Sequence, residues 1–149
     1  MEKLSEEQIL QTIKAARDKG ETPDLRQHDL SGVGLFKADL SGADLRESNL
    51  GSAVLMLANL EGTNLSHCNL SQADLGRANL RGADLSGTDL FAASLSGADL
   101  KSANLHGANL NGADLSQTDL SETDLQGAKY TSYTKWPLDF DPAKAGAIR

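Results

Sequence analysis

The stretch Ala38-Asp39-Leu40-Ser41-Gly42-Ala43-Asp44-Leu45 returns to its own pattern after five residues: a small residue, an acid or amide, a leucine, then two variable positions. Followed in both directions, the same frame runs without a gap from Leu25 to Leu125 and holds 21 leucines. Two residues before the leucine stand twelve alanines and seven other modest side chains: Val33, Ser48, Thr63, Cys68, Thr88, Thr118 and Thr123. Immediately before it, 18 of the 21 residues are Asp or Asn, with Gly34, Val54 and Ser94 as the exceptions. Glycine takes the second position after the leucine nine times, as at Gly42, Gly62 and Gly82.

A strict period of five suits neither regular element. In an α-helix, residue i+5 lies about 500° around the axis, so the leucines would wind over every face. In a flat strand, odd spacing would alternate them between faces. They converge only if the chain bends after every repeat, which predicts short extended pieces joined by turns around a dry axis. The alanine position shares the leucine's inward side, and the Asp/Asn between them points out. Glycine falls where a type II turn needs positive φ. On this reading Leu40, Leu60, Leu75, Leu80 and Leu100, with Ala73, Ala78 and Cys68, belong to the core. Leucine burial alone, at roughly 1.5–3 kcal/mol each, does not offset backbone ordering at roughly 1–2 kcal/mol per residue. Coil-to-coil hydrogen bonds must supply the remainder, and an isolated repeat should not fold.

Runs such as Ala38-Asp39-Leu40-Ser41-Gly42 and Ala98-Asp99-Leu100-Lys101-Ser102 resemble the A(D/N)LXX motif of pentapeptide-repeat proteins over Pro23 to Lys129. The resemblance implies an all-β solenoid, a right-handed quadrilateral β-helix with four repeats per coil and about five coils. Residues twenty apart then become neighbours on adjacent coils. The division that follows is an N-terminal capping helix and linker at 1–22, the β-helix at 23–129 and an aromatic C-terminal cap at 130–149.

The ends carry different signals. Leu4-Ser5-Glu6-Glu7-Gln8-Ile9 reads as a helix start, with Ser5 as N-cap, Gln8 closing a capping box and Leu4 and Ile9 as a hydrophobic staple. Ile9, Leu10, Ile13 and Ala16 form a stripe to lay over the first coil, and Gly20 suits the C′ position. Four of the six aromatic residues, Tyr130, Tyr133, Trp136 and Phe140, fall in the last twenty residues. They suit an end plate, with a dimer contact as the alternative. Asp141-Pro142 opens a short helical turn over Ala143–Ala147. The tail resembles the closing segment of some cyanobacterial pentapeptide-repeat proteins.

Site chemistry is sparse. The three histidines do not cluster: His67 would face Glu47 and Gly87, and His106 would face Ser86 and Gln126, so neither a metal nor another cofactor is expected. Cys68 reads as a buried, inert thiol. No loop interrupts the frame to carry an active site, which makes an enzyme the least supported class. No apolar run exceeds the six residues Ala53–Ala58, which excludes a membrane-spanning helix, and the charged start does not read as a secretory leader. With one cysteine and no disulfide, a cytoplasmic setting is the expectation.

Two surface features remain. The whole net charge of −7 resides in the repeats, which hold 14 acidic and seven basic residues. Charged and neutral residues mostly alternate along the stack, but Asp24 meets Asp44, and Asp99 meets Asp119. The acidic sign disfavours direct nucleic-acid binding. It is compatible with the DNA mimicry of those pentapeptide-repeat proteins that confer quinolone resistance by binding gyrase. The second feature is apolar: Val54, Met56 and Leu57 occupy outward positions, with Phe36 as the coil neighbour of Met56. This patch reads either as a seat for the N-terminal helix or as a binding site for a protein partner. Phe91 is a lone apolar outlier on another face. The leading expectation is a non-catalytic protein–protein interaction or scaffold module, monomeric in preference to dimeric. Gyrase inhibition and a structural spacer are the alternatives.

Overall fold

The computed structural model describes all 149 residues. From Asp24 to Asn109 each residue at the Asp/Asn position pairs in parallel with the residue twenty further on, so that Asp24, Asp44, Asn64, Asp84, Asn104 and Asp124 form one continuous ladder. Three more ladders run through Asp29, Gly34 and Asp39, giving a solenoid with four five-residue sides. We name the sides the Leu25, Leu30, Leu35 and Leu40 faces after their first leucines.

One rung explains the rest. The Leu40 N–H donates to Asn59 O on the next coil (2.8 Å), and the Asn59 N–H donates back to Ala38 O (2.9 Å). The corner follows at once, with the Ala43 N–H donating to Leu40 O across a tight turn (3.0 Å). At that corner Gly42 takes φ 69° and its N–H donates to Glu61 O on the next coil. All 21 repeats adopt positive φ there, nine with glycine and twelve with another residue, from Gln27 to Glu122. Bending the chain with L-residues costs roughly 1 kcal/mol at each such corner. The coil-to-coil hydrogen bond formed by the corner N–H helps to offset it.

The interior is leucine on alanine. Twenty of the 21 leucines, among them Leu40, Leu60, Leu75, Leu80 and Leu100, are at most 2% exposed, as are Ala73, Ala78 and Cys68. Leu120 is the part-buried exception. Where a hydroxyl replaces alanine inside the coil, it donates to a backbone carbonyl. Thr63 reaches Leu60 O at 2.7 Å and Thr88 reaches Leu65 O on the preceding coil at 2.8 Å. No buried hydroxyl is thereby left to oppose folding.

At the N-terminus, β1 (Glu2–Lys3) pairs in parallel with β2 (His28–Asp29) and adds a rung before the first coil. Helix α1 (Glu6–Asp18) then starts from Ser5, whose side chain and that of Gln8 form the reciprocal capping box. It stops in a two-bond glycine motif, with Gly20 N–H donating to Arg17 O and Glu21 N–H to Ala16 O. Leu4, Ile9 and Ile13 are buried in the same core as the leucines, whereas Leu10 is 39% exposed and leaves the expected stripe. Leu10 lies about 100° from Ile9 around the axis, too far to share a face with both isoleucines.

The C-terminal segment differs in one respect from its sequence reading. Tyr130, Trp136 and Phe140 pack on the core as a chain of rings, Tyr130 edge-on to Trp136 (5.6 Å) and Trp136 stacked on Phe140 (5.3 Å). Tyr133 takes no part; it is 81% exposed, standing in the turn where Thr134 turns inward to donate to Leu110 O. Pro142–Gly146 makes the expected short helical turn, with the Ala145 N–H donating to Asp141 O (3.3 Å), and Ile148 then returns to pair with Lys129. Lys135 pairs likewise with Asp114, so the tail continues two ladders as well as covering the end.

Candidate interaction surface

The outward Asp/Asn column has a structural task of its own. In all 18 repeats that carry Asp or Asn, its Oδ1 accepts the backbone N–H two residues on, bracing the corner. The amide nitrogens of asparagines add links along the stack, Asn69 to Asn49 Oδ1 at 3.0 Å and Asn109 to Asp89 Oδ1 at 3.0 Å. The column's outward direction is evident from the sequence, but the brace is not. The spacing of an acceptor two residues before a turn N–H was the available signal.

The two places where carboxylates stack directly are both served by arginine. Arg26 binds Asp24 in a fork (2.7 and 2.8 Å) and lies 3.7 Å from Asp44, which Arg46 also holds at 2.7 Å. The guanidinium of Arg26 lowers the Asp24 pKa to about 2, and Arg46 holds Asp44 below the usual carboxylate range. On the Leu40 face Arg81 pairs with Asp99 at 3.0 Å. Asp119 is held low chiefly by the Ser121 hydroxyl, with Lys101 and Arg81 adding to it.

No three His, Cys, Asp or Glu side chains gather as a metal would require. The Cys68 thiol lies against Ser48 and Leu45 O, and burial pushes its pKa up, away from the reactive thiolate. His67 rests on Gly87, so closely that a Cβ there would lie 2.5 Å from Nδ1. No helix is long and apolar enough to cross a membrane.

The apolar patch stands open. Phe36 is 54% exposed, Val54 41%, Met56 37% and Leu57 39%. Helix α1 does not sit on them; its Arg17 instead reaches Asp39 and Ser41 on the Leu40 face. The register adds what the linear sequence concealed: Gly34, Val54 and Ser94, the only departures from Asp/Asn, fall in one ladder on the Leu35 face. Beside Val54 a shallow groove is lined by Met56, Leu57, Asp74, Gly76, Arg77, Ser94 and Ser96. It is open because Gly76 has no side chain; a Cβ there would stand 3.1 Å from Asp74 Oδ1, 3.8 Å from Ser96 O and 3.9 Å from Met56 Cε. Leu57 holds positive φ (61°), the only large aliphatic side chain at any corner.

A four-sided parallel stack with this repeat is matched by the family model for pentapeptide repeats, which covers residues 23–51, 58–97 and 98–129 in eight copies. The chain belongs to the pentapeptide-repeat family. The fold of that family is the right-handed quadrilateral β-helix. Among solved structures, a pentapeptide-repeat protein from the cyanobacterium Cyanothece 51142 is 28% identical, covering 86% of this chain and 97% of its own, with a TM-score of 0.79. One from Nostoc PCC 7120 is 34% identical over 93% of both chains, with a TM-score of 0.61. One from the Arabidopsis thaliana thylakoid lumen is 32% identical over 66% of this chain and 69% of its own, with a TM-score of 0.64. No curated protein sequence matches the chain.

Proposed function

We propose that this pentapeptide-repeat chain is a non-catalytic, cytoplasmic protein–protein interaction module. It is a monomeric rod of about five coils whose C-terminal aromatic rings serve as an end plate. The observation that carries this reading is the Leu35 face, where the braced polar column gives way to Phe36, Val54, Met56 and Leu57. Contiguous exposed apolar side chains are uncommon on a small monomer and mark interaction sites. Affinity capture from native lysate, comparing wild type with a Met56→Asp, Leu57→Ser variant, tests it. A protein retained by the first and lost by the second supports the reading; identical retention by both overturns it.

A second reading rests on the Leu25 and Leu40 faces. Each holds five acidic residues against two basic ones, a distribution suited to imitating duplex DNA before gyrase. The arginine pairing at the stacked carboxylates weakens that field. Unchanged supercoiling at micromolar protein would end it. A passive spacer would show neither effect.

A further inference from the structure

We infer that the Leu35 face binds an acidic–apolar peptide segment of another protein, an assignment that rests on the interaction reading above and names its partner's chemistry. Two observations carry it, and they are independent of patch exposure alone. The first is charge. The Leu35 face of the repeats holds two acids, Asp74 and Asp114, and two bases, Lys37 and Arg77, on a rod that is otherwise acidic. Neither base enters an ion pair, whereas Arg26, Arg46 and Arg81 all do; Lys101 and Lys129, on other faces, are the remaining unpaired bases of the repeats. Lys37 lies over the Phe36 ring instead, 5.2 Å from its centroid.

The second is placement. Lys37, Leu57 and Arg77 occupy the same corner on three successive coils, each at positive φ, so an unpaired cation stands on either side of the exposed leucine. Two coil steps separate the backbone of those two corners by roughly 10 Å, about the length of three extended residues. Phe36 and Met56 supply the apolar floor beside this corner, and the missing Gly76 side chain leaves open a groove beyond Met56 whose lining includes the Asp74 carboxylate, already engaged by the Gly76 N–H. The fit is to a short segment bearing apolar side chains between two carboxylates about three residues apart. A second copy of this chain fits poorly, because four apolar side chains fall far short of the roughly 20–30 residues a side in a stable interface.

The experiment is selection from a phage-displayed library of short random peptides on the full-length protein, alongside two variants. One is Met56→Asp, Leu57→Ser, which erases the floor. The other is Lys37→Glu, Arg77→Glu, at two surface positions that join no core. Wild type should enrich apolar peptides flanked by Asp or Glu, and the charge-reversed variant should enrich Lys or Arg flanks. A selected acidic peptide should bind that variant about tenfold more weakly at low salt, with the difference shrinking at high salt. Circular dichroism checks that both variants fold. Apolar peptides without acidic flanks, lost on the floor variant, would overturn the charge assignment while sparing the interaction reading. Equal enrichment by wild type and the floor variant, or none by either, would overturn both.

Discussion

Replacing Asn69 by Asp separates the two tasks of the outward column in one substitution. The Asn69 Oδ1 accepts the Ser71 N–H at 2.9 Å, and its Nδ2 donates to Asn49 Oδ1 at 3.0 Å. Asn69→Asp retains the corner acceptor and removes the donor. It also sets a carboxylate one coil from Asp89, its ladder partner. Losing the hydrogen bond costs about 1 kcal/mol. Two charges at the coil spacing of about 4.8 Å repel by roughly 1 kcal/mol in water and 3–4 at an effective dielectric of 20. Both groups are half-buried, so a total of about 2–4 kcal/mol at pH 7 is expected, a fall of roughly 5–15 °C in the melting midpoint. The sign with pH follows from like-charge repulsion, which raises the folded-state pKa of the pair above its unfolded value. The electrostatic penalty is therefore absent below the unfolded pKa and grows as pH rises through the raised one. Thermal melts followed by circular dichroism at pH 4 and pH 7 read this directly. A variant that melts like wild type at pH 7, or whose deficit is the same at both pH values, would refute the ladder argument.

Three further outcomes follow from the same geometry. Gly87→Ala should cost more than Gly62→Ala, because both sit at positive φ but only the first drives a methyl into His67; the excess should vanish in a His67→Ala background when melts are compared. Leu75→Asp should abolish folding by placing an unpaired charge in the leucine column, and a near-wild-type melt would contradict its burial. Asp24 should titrate near pH 2 and Asp44 below the ordinary carboxylate range in carboxyl-detected NMR. Stability from these depressed groups is present above their unfolded pKa and lost as pH falls through the folded values. Arg46→Ala should move Asp44 upward, and an unmoved titration would show that the ion pair is not its cause.

What could be read from the chain before its structure was set by periodicity. The leucine frame and its small partners dictate a bent, inward-facing stack because no helix or flat strand lets Leu25 through Leu125 share one side. Ser5 and Gln8 declare the helix start by chemistry that acts within four residues. The features that escaped are those that depend on register. Gly34, Val54 and Ser94 look scattered until the twenty-residue coil brings them onto one ladder. The charged Glu2-Lys3 pair carries no strand signal, since its pairing with His28-Asp29 uses only backbone. Twelve corners accept positive φ without glycine, because the stack enforces what local preference resists. Tyr133 was indistinguishable by type from Tyr130, and only the turn ending at Thr134 decides which ring faces the core.

The four-sided ladder also constrains how such a chain can be lengthened. Duplicating twenty residues inserts a complete circuit and leaves every downstream side aligned with its own counterpart upstream. Inserting a single repeat instead turns everything beyond it by a quarter revolution. Because Phe36, Met56 and Leu57 lie within two circuits of helix α1, growth beyond Arg77 would extend the rod while leaving their azimuth relative to that helix unchanged.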